Sequence, residues 1–100
     1  MPYNISALKV KDFTNWKSAF DIEDGKALRK AGGMKSYQIF QATDDPNYVV
    51  ILTEWDSVDD GRKFLQSKEL QESNKESGVV EMFTTHDISK SLEEVEKKSV

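Results

Sequence analysis

A chain of 100 residues has the size of one domain, and its 14 Lys and Arg against 18 Asp and Glu leave a net charge of −4. This acidic balance argues against a nucleic-acid partner, because binding to a phosphate backbone depends on clustered positive charge. Cysteine is absent, which excludes disulfides and thiolate sites, and no apolar run approaches the ~20 residues of a membrane span. Without an export signal we expect a cytoplasmic protein with no membrane partner.

The first half of the chain alternates between strand and helix patterns. Residues 3–10 carry four apolar side chains and predict a first strand. Asp12 is placed to cap a helix whose apolar residues recur at helical spacing, and Gly25 marks a point where that helix can bend or break. Gly32-Gly33 ends the helix, since glycine tolerates positive φ, and residues 34–42 predict the second strand.

The second half predicts a hairpin, a second helix and a last strand. A run of turn formers at residues 43–47 is followed by the strongest strand pattern of the sequence, at residues 48–55. Ser57 is a candidate N-cap for the second helix, which we expect to run to about residue 77 before a glycine stops it. Residues 79–88 predict the last strand.

The order of these elements defines a fold class. The sequence β-α-β-β-α-β is the ferredoxin-like arrangement, so we predict an α+β fold with a four-stranded antiparallel sheet. The domain is expected to span residues 1–88, and residues 89–100 to form a charged C-terminal tail. Within this tail only Leu92, Val95 and Val100 are spaced for a weak amphipathic turn or two.

Both faces of the predicted sheet carry apolar residues, although two helices can cover only one of them. An uncovered antiparallel face should be polar. The third and fourth strands are instead apolar on both faces, through Val49, Val50, Ile51, Leu52, Val79, Val80, Met82 and Phe83. A monomer does not tolerate so large an exposed patch, so we expect a homodimer through the open sheet face. The alternative is a monomer whose tail folds back over the sheet.

Several short motifs follow one another along most of the chain up to Ile88. They are Val10-Lys11-Asp12-Phe13 with Trp16 and Phe20, then Asp45-Pro46-Asn47, Glu54-Trp55-Asp56-Ser57, Phe64-Leu65-Gln66-Ser67 and Ser77-Gly78-Val79. In their order and spacing the chain resembles the antibiotic biosynthesis monooxygenase-like proteins of the dimeric α+β barrel superfamily. The resemblance implies that fold, a dimer, and a place among cofactor-free oxygenases of aromatic polyketides or quinols, haem-degrading enzymes, isomerases and members without an assigned reaction.

Two positions test the haem-degrading branch of that family. Its members carry a tryptophan nine positions after the one that matches Trp55, and a haem-ligating histidine ten positions further on. This chain has Phe64 and Asn74 at those positions. Phenylalanine lacks the indole, and a neutral amide is a poor iron ligand. Both departures argue against haem degradation, and the histidine that other relatives place at Phe64 is missing too.

Three polar residues are candidates for assisting catalysis. His86 is the only histidine, and its ordinary pKa near neutrality suits a general base or acid. The alternative for His86 is an edge-strand residue that faces solvent or a partner chain. Tyr37 and Asn4 are candidates for a hydrogen bond to a ligand.

Trp16, Phe20 and Phe64 are the candidate pocket residues. Their spacing turns them toward the sheet, where they would line an apolar pocket for a flat aromatic ligand. The alternative is ordinary core packing, which aromatic residues at helical spacing commonly serve. The acidic clusters lack the regular spacing of a calcium loop, so we predict no metal site, and we expect no cofactor.

Two functional hypotheses follow from these residues and from the resemblance. The first is a cofactor-independent monooxygenase-like or isomerase-like enzyme, which holds a small apolar or aromatic molecule between sheet and helices and assists removal of a phenolic proton. The second is a non-catalytic small-molecule-binding homodimer, favoured by the scarcity of histidine, cysteine and oriented acid–base pairs. A weaker third hypothesis makes the dimer an interaction surface whose charged tail engages another protein.

Overall fold

Four helices and five strands make up the part of the chain that the computed structural model describes, residues 2–83 and 91–100. In chain order they are β1 (Tyr3–Val10), α1 (Phe13–Phe20), α2 (Glu23–Ala31), β2 (Met34–Ala42), β3 (Asp45–Trp55), α3 (Val58–Leu65), α4 (Lys68–Glu76), β4 (Val79–Phe83) and β5 (Leu92–Ser99). The predicted α+β class is confirmed. None of these described helices is long and apolar enough to cross a membrane.

The five strands form one antiparallel sheet in the order β4-β1-β3-β2-β5. β3 lies in the middle, with Leu8 of β1 opposite Val49 and Ile39 of β2 opposite Ile51. The core packs between the sheet and the helices. Its largest fully buried side chains are Trp55, Ile39, Val10 and Val49.

Each of the two predicted helices is divided into two shorter ones. The first breaks at Asp21 and Ile22, before Gly25, because the backbone of Ile22 is extended, with φ −64° and ψ 141°. The second restarts at Ser67, whose hydroxyl accepts the N–H of Leu70 at 3.2 Å and so caps α4.

The local start and stop signals of the helices are confirmed. The Asp12 carboxylate accepts the N–H of Thr14 at 3.0 Å, and the Ser57 hydroxyl accepts the N–H of Asp60 at 3.1 Å. Gly33 and Gly78 adopt φ values of +93° and +87° at the turns into β2 and β4. These two positions need glycine, because a side chain strains the left-handed backbone region.

The sheet has a fifth strand that the sequence did not predict. β5 pairs with β2 from Ser36 opposite Ser99 to Ala42 opposite Leu92. The predictions of a four-stranded sheet and of a helical turn in the tail are therefore wrong, and β5 lies beside β2 instead of over the sheet face. Its backbone pairs with an edge that would otherwise leave N–H and C=O groups open, and its charged side chains suit an edge strand.

The sheet face away from the helices carries a group of apolar residues. Alternation along β1 and its register with β3 place Tyr3, Ile5, Ala7, Val50 and Leu52 together on this open face. Tyr3 is 63% and Ile5 is 50% exposed. This is the surface through which the sequence predicts a homodimer, and the dimer stays a prediction.

Candidate functional site

A cavity of about 90 Å³ lies between the sheet and the helices. β1 and β3 form its floor through Leu8, Ile51 and Thr53, and the helices supply most of its walls. Met82 of β4 also lines the cavity and is 53% exposed, so this end reaches the surface. One water molecule needs roughly 10–15 Å³ of cavity volume. A cavity of about 90 Å³ therefore has room for a small organic molecule.

The three residues predicted to line a pocket, Trp16, Phe20 and Phe64, lie on the wall of this cavity. The ring centroids of Trp16 and Phe20 are 5.2 Å apart, and those of Phe64 and Trp55 are 5.1 Å apart. Trp16 is 3% and Phe64 is 8% exposed, so both also pack the core. Core packing and cavity lining therefore coincide at these residues, and their role in binding stays a prediction.

Asn4 lies at the margin of the cavity. Its side-chain Oδ1 accepts from the Ser6 hydroxyl at 3.5 Å, and its backbone oxygen accepts from the Thr53 hydroxyl at 3.3 Å. Ser6 and Thr53 line the cavity, and Thr53 also accepts the indole N–H of Trp55 at 2.8 Å. The catalytic role of Asn4 stays a prediction. His86, the candidate general base, lies outside the described residues.

Tyr37 packs behind the cavity wall. Its ring meets Phe20 edge-on with centroids 5.1 Å apart, and its hydroxyl donates to the Glu96 carboxylate at 3.0 Å. Burial, followed by this hydrogen bond, raises the pKa of Tyr37 to about 12. The phenol therefore keeps its proton at neutral pH and can donate a hydrogen bond but not act as a base. Its part in catalysis stays a prediction.

Glu96 of β5 links the Tyr37 hydroxyl to α1. Its carboxylate also accepts from Lys17 at 3.0 Å, and Lys17 in turn contacts Asp21. Burial opposes the ionisation of Glu96, but hydrogen bonds from Lys17 and Tyr37 outweigh it and lower the pKa of Glu96 from its ordinary value. The network ties the added strand to the helical layer.

This lowered pKa predicts a pH-dependent stability. A carboxyl whose pKa is lower in the folded than in the unfolded chain stabilises the fold above its unfolded value, and that contribution is lost as the pH falls through the folded value. Glu96→Gln should therefore cost about 1–3 kcal/mol at pH 7, and the difference from the wild type should shrink below about pH 4.5. Urea titrations across this range measure it. The matched control is Glu93→Gln, an exposed carboxylate of the same strand, and an equal loss there would contradict the assignment.

Arg29 is the residue of this site that the sequence did not reveal. It lines the cavity, yet it is only 6% exposed. Its guanidinium carbon lies 3.9 Å from the ring centroid of Phe20, and its Nη2 donates to the backbone oxygen of Phe20 at 3.0 Å. Burial lowers the pKa of Arg29 from its ordinary value. In the sequence it lies close to Lys26 and Lys30, and such basic residues are typical of a solvated helix face.

Among the described residues, no group of three or more His, Asp or Glu side chains is placed to hold a metal ion. The cavity wall instead consists mainly of aromatic and aliphatic groups, with Arg29 as its charged member among the described residues. Such a wall suits an organic molecule with an apolar body.

Comparison with known proteins gives one match and one negative result. The family model described as antibiotic biosynthesis monooxygenase matches residues 13–76, from the start of α1 to the end of α4. No curated protein matches the chain. The matched segment covers more than half of the chain and includes the helices and the β2–β3 hairpin, which supply most of the residues that line the cavity. The chain therefore belongs to the antibiotic biosynthesis monooxygenase family.

Proposed function

We propose that the cavity binds a small apolar or aromatic molecule and that the protein acts on it as a cofactor-independent monooxygenase-like or isomerase-like enzyme. One observation carries this proposal: the cavity is walled by Trp16, Phe20, Trp55 and Phe64 and opens at Met82. Flat aromatic side chains pack well against a flat aromatic ligand. An apolar enclosure also keeps bulk water from a reactive anion.

In the oxygenase form of this proposal the substrate supplies all the electrons. Loss of the phenolic proton leaves an electron-rich anion, which reacts with O₂. For 1-naphthol, one O₂ converts a ring C–H carbon to a carbonyl and its second oxygen atom leaves as water, so that naphthoquinone forms without an external reductant. We propose His86 as the group that takes the proton, with Asn4 and protonated Tyr37 as polar helpers.

We further propose that the protein is a homodimer, closed through the open face as in a dimeric α+β barrel. Two half-exposed apolar side chains, Tyr3 and Ile5, project from a surface that the helices do not cover. A second copy laid on this surface would bury them, and two-fold dimers are the commonest oligomers. The same family membership supports this arrangement.

A second candidate is a non-catalytic small-molecule-binding homodimer. One observation favours it: of the described residues that line the cavity, none carries an imidazole or a carboxylate. The hydroxyl of Tyr37 is also held by Glu96. In this case the ligand would leave unaltered.

Oxygen uptake and product analysis with 1-naphthol distinguish the two candidates. An oxygenase consumes one O₂ per naphthoquinone formed, above the rate in buffer alone, and ¹⁸O₂ places one labelled atom in the product. An isomerase-like enzyme takes up no oxygen but returns an altered isomer from a suitable substrate. Binding with full recovery of each compound tested favours the non-catalytic candidate. His86→Gln should abolish turnover while binding persists, and unchanged turnover would overturn the role of His86.

A further inference from the structure

Arg29 brings one buried positive charge to the wall of a mainly apolar cavity. Its guanidinium has five N–H donors, and the hydrogen bond found for it among the described residues goes to the backbone oxygen of Phe20. Its guanidinium carbon lies over the Phe20 ring, 3.9 Å from the ring centroid, and 5.6 Å from the ring centroid of Tyr37. The side chain is thus fixed in place while most of its donors have no protein acceptor among the described residues.

Two nearby carboxylates whose side chains the structure describes, those of Asp21 and Glu96, do not form an ion pair with Arg29. Asp21 contacts Lys17 at 2.5 Å, and Glu96 contacts Lys17 at 3.0 Å. Both act on the Arg29 charge through space, since the ion pairs given for Asp21 and Glu96 are with lysines. A buried cation without a counter-ion is costly, and proteins normally pair such groups or use them to bind a ligand.

We propose that Arg29 receives the carboxylate of a small aromatic acid whose ring occupies the cavity. This inference rests on the proposed function of the cavity and adds the chemical class of the ligand. The planar fork of a guanidinium matches a carboxylate with two parallel hydrogen bonds. The apolar walls formed by Trp16, Phe20 and Leu28 then take the ring.

The net charge of the protein opposes the binding of an anionic ligand. At −4 the chain as a whole repels anions, so tighter binding of an anion than of a neutral analogue reports a local cation. Arg29 is the charged residue that the described cavity wall offers.

Isothermal titration calorimetry with 2-naphthoate and the neutral 2-naphthalenemethanol tests the inference. At pH 7.5 the wild-type protein should bind the carboxylate at least tenfold more tightly than the alcohol. Equal affinities, or tighter binding of the alcohol, would overturn the role of Arg29 and leave the cavity proposal standing. Failure of both compounds to bind would overturn the cavity proposal and the inference together.

Variants of Arg29 test whether this side chain causes the preference for the carboxylate over the alcohol. Arg29→Gln should remove the preference for the carboxylate over the alcohol, whereas retained preference overturns the inference. The control is Arg62→Gln, which removes the same charge from an exposed side chain on α3 and should leave both affinities unchanged. Arg29→Lys keeps the charge without the fork and should retain part of the preference. The wild-type comparison and Arg29→Lys decide the question if Arg29→Gln does not fold.

Discussion

Replacement of Trp55 by alanine should lower the free energy of unfolding by about 3–5 kcal/mol. The side chain is 1% exposed at the end of β3, where its ring packs on Phe64 and against the backbone of Gly61. Its indole N–H donates to Thr53 at 2.8 Å. Alanine enlarges the cavity that Trp55 lines and removes this donor. Urea denaturation followed by far-ultraviolet circular dichroism measures the loss.

Two control variants separate ring packing from the hydrogen bond. Trp55→Phe keeps a ring and removes the indole N–H, so its cost should fall well below that of alanine. Val58→Ala changes a side chain that is 59% exposed at the start of α3 and should stay within about 0.5 kcal/mol of the wild type. A loss below about 1 kcal/mol for Trp55→Ala would contradict the place given to this residue in the core.

Ile5→Asp should convert the proposed dimer to monomer at micromolar concentration. Ile5 is half exposed in the single chain and lies opposite Leu52 on the open face. A dimer would bury it, and an unpaired carboxylate in an apolar interface is strongly unfavourable. We expect dimer affinity to fall at least about 100-fold, which corresponds to about 2.7 kcal/mol. Sedimentation velocity of the wild type and the variant measures this change.

The matched control is the same substitution at Ile22. This residue is 55% exposed between α1 and α2, on the helical layer rather than the sheet. Ile22→Asp should leave the protein dimeric, with its secondary structure intact. A wild-type monomer, or a dimer that persists in Ile5→Asp, would contradict association through the open face.

Local chemistry made most of the fold predictable. The caps at Asp12 and Ser57 and the positive-φ turns at Gly33 and Gly78 depend on a few neighbouring residues, and the structure has them where the sequence predicts them. β5 could not be found in this way. Its sequence, Leu92–Ser99, is dominated by charge and lacks apolar alternation, because an edge strand is held by backbone pairing to β2 and not by side-chain burial.

The same difference between local patterns and long-range packing decides which residues of the site could be predicted. The aromatic wall could be predicted from the sequence, because Trp16 and Phe20 repeat at helical spacing toward a predicted sheet. The burial of Arg29 could not be predicted, since it results from the packing of α2 against Phe20 and Tyr37 rather than from any local pattern. The hydrogen bond between Tyr37 and Glu96 joins residues 59 positions apart, through a strand that the sequence did not predict.

The most direct test of the central claim, that the cavity holds a small aromatic molecule, is a ¹H–¹⁵N correlation titration with 2-naphthalenemethanol. The chain has two tryptophans, and Trp16 and Trp55 both line the cavity. Both indole N–H signals should shift through ring currents and saturate at one ligand per chain, while the signal of the exposed Lys97 on β5 stays in place. Indole signals that do not move, or shifts that never saturate, would contradict the account.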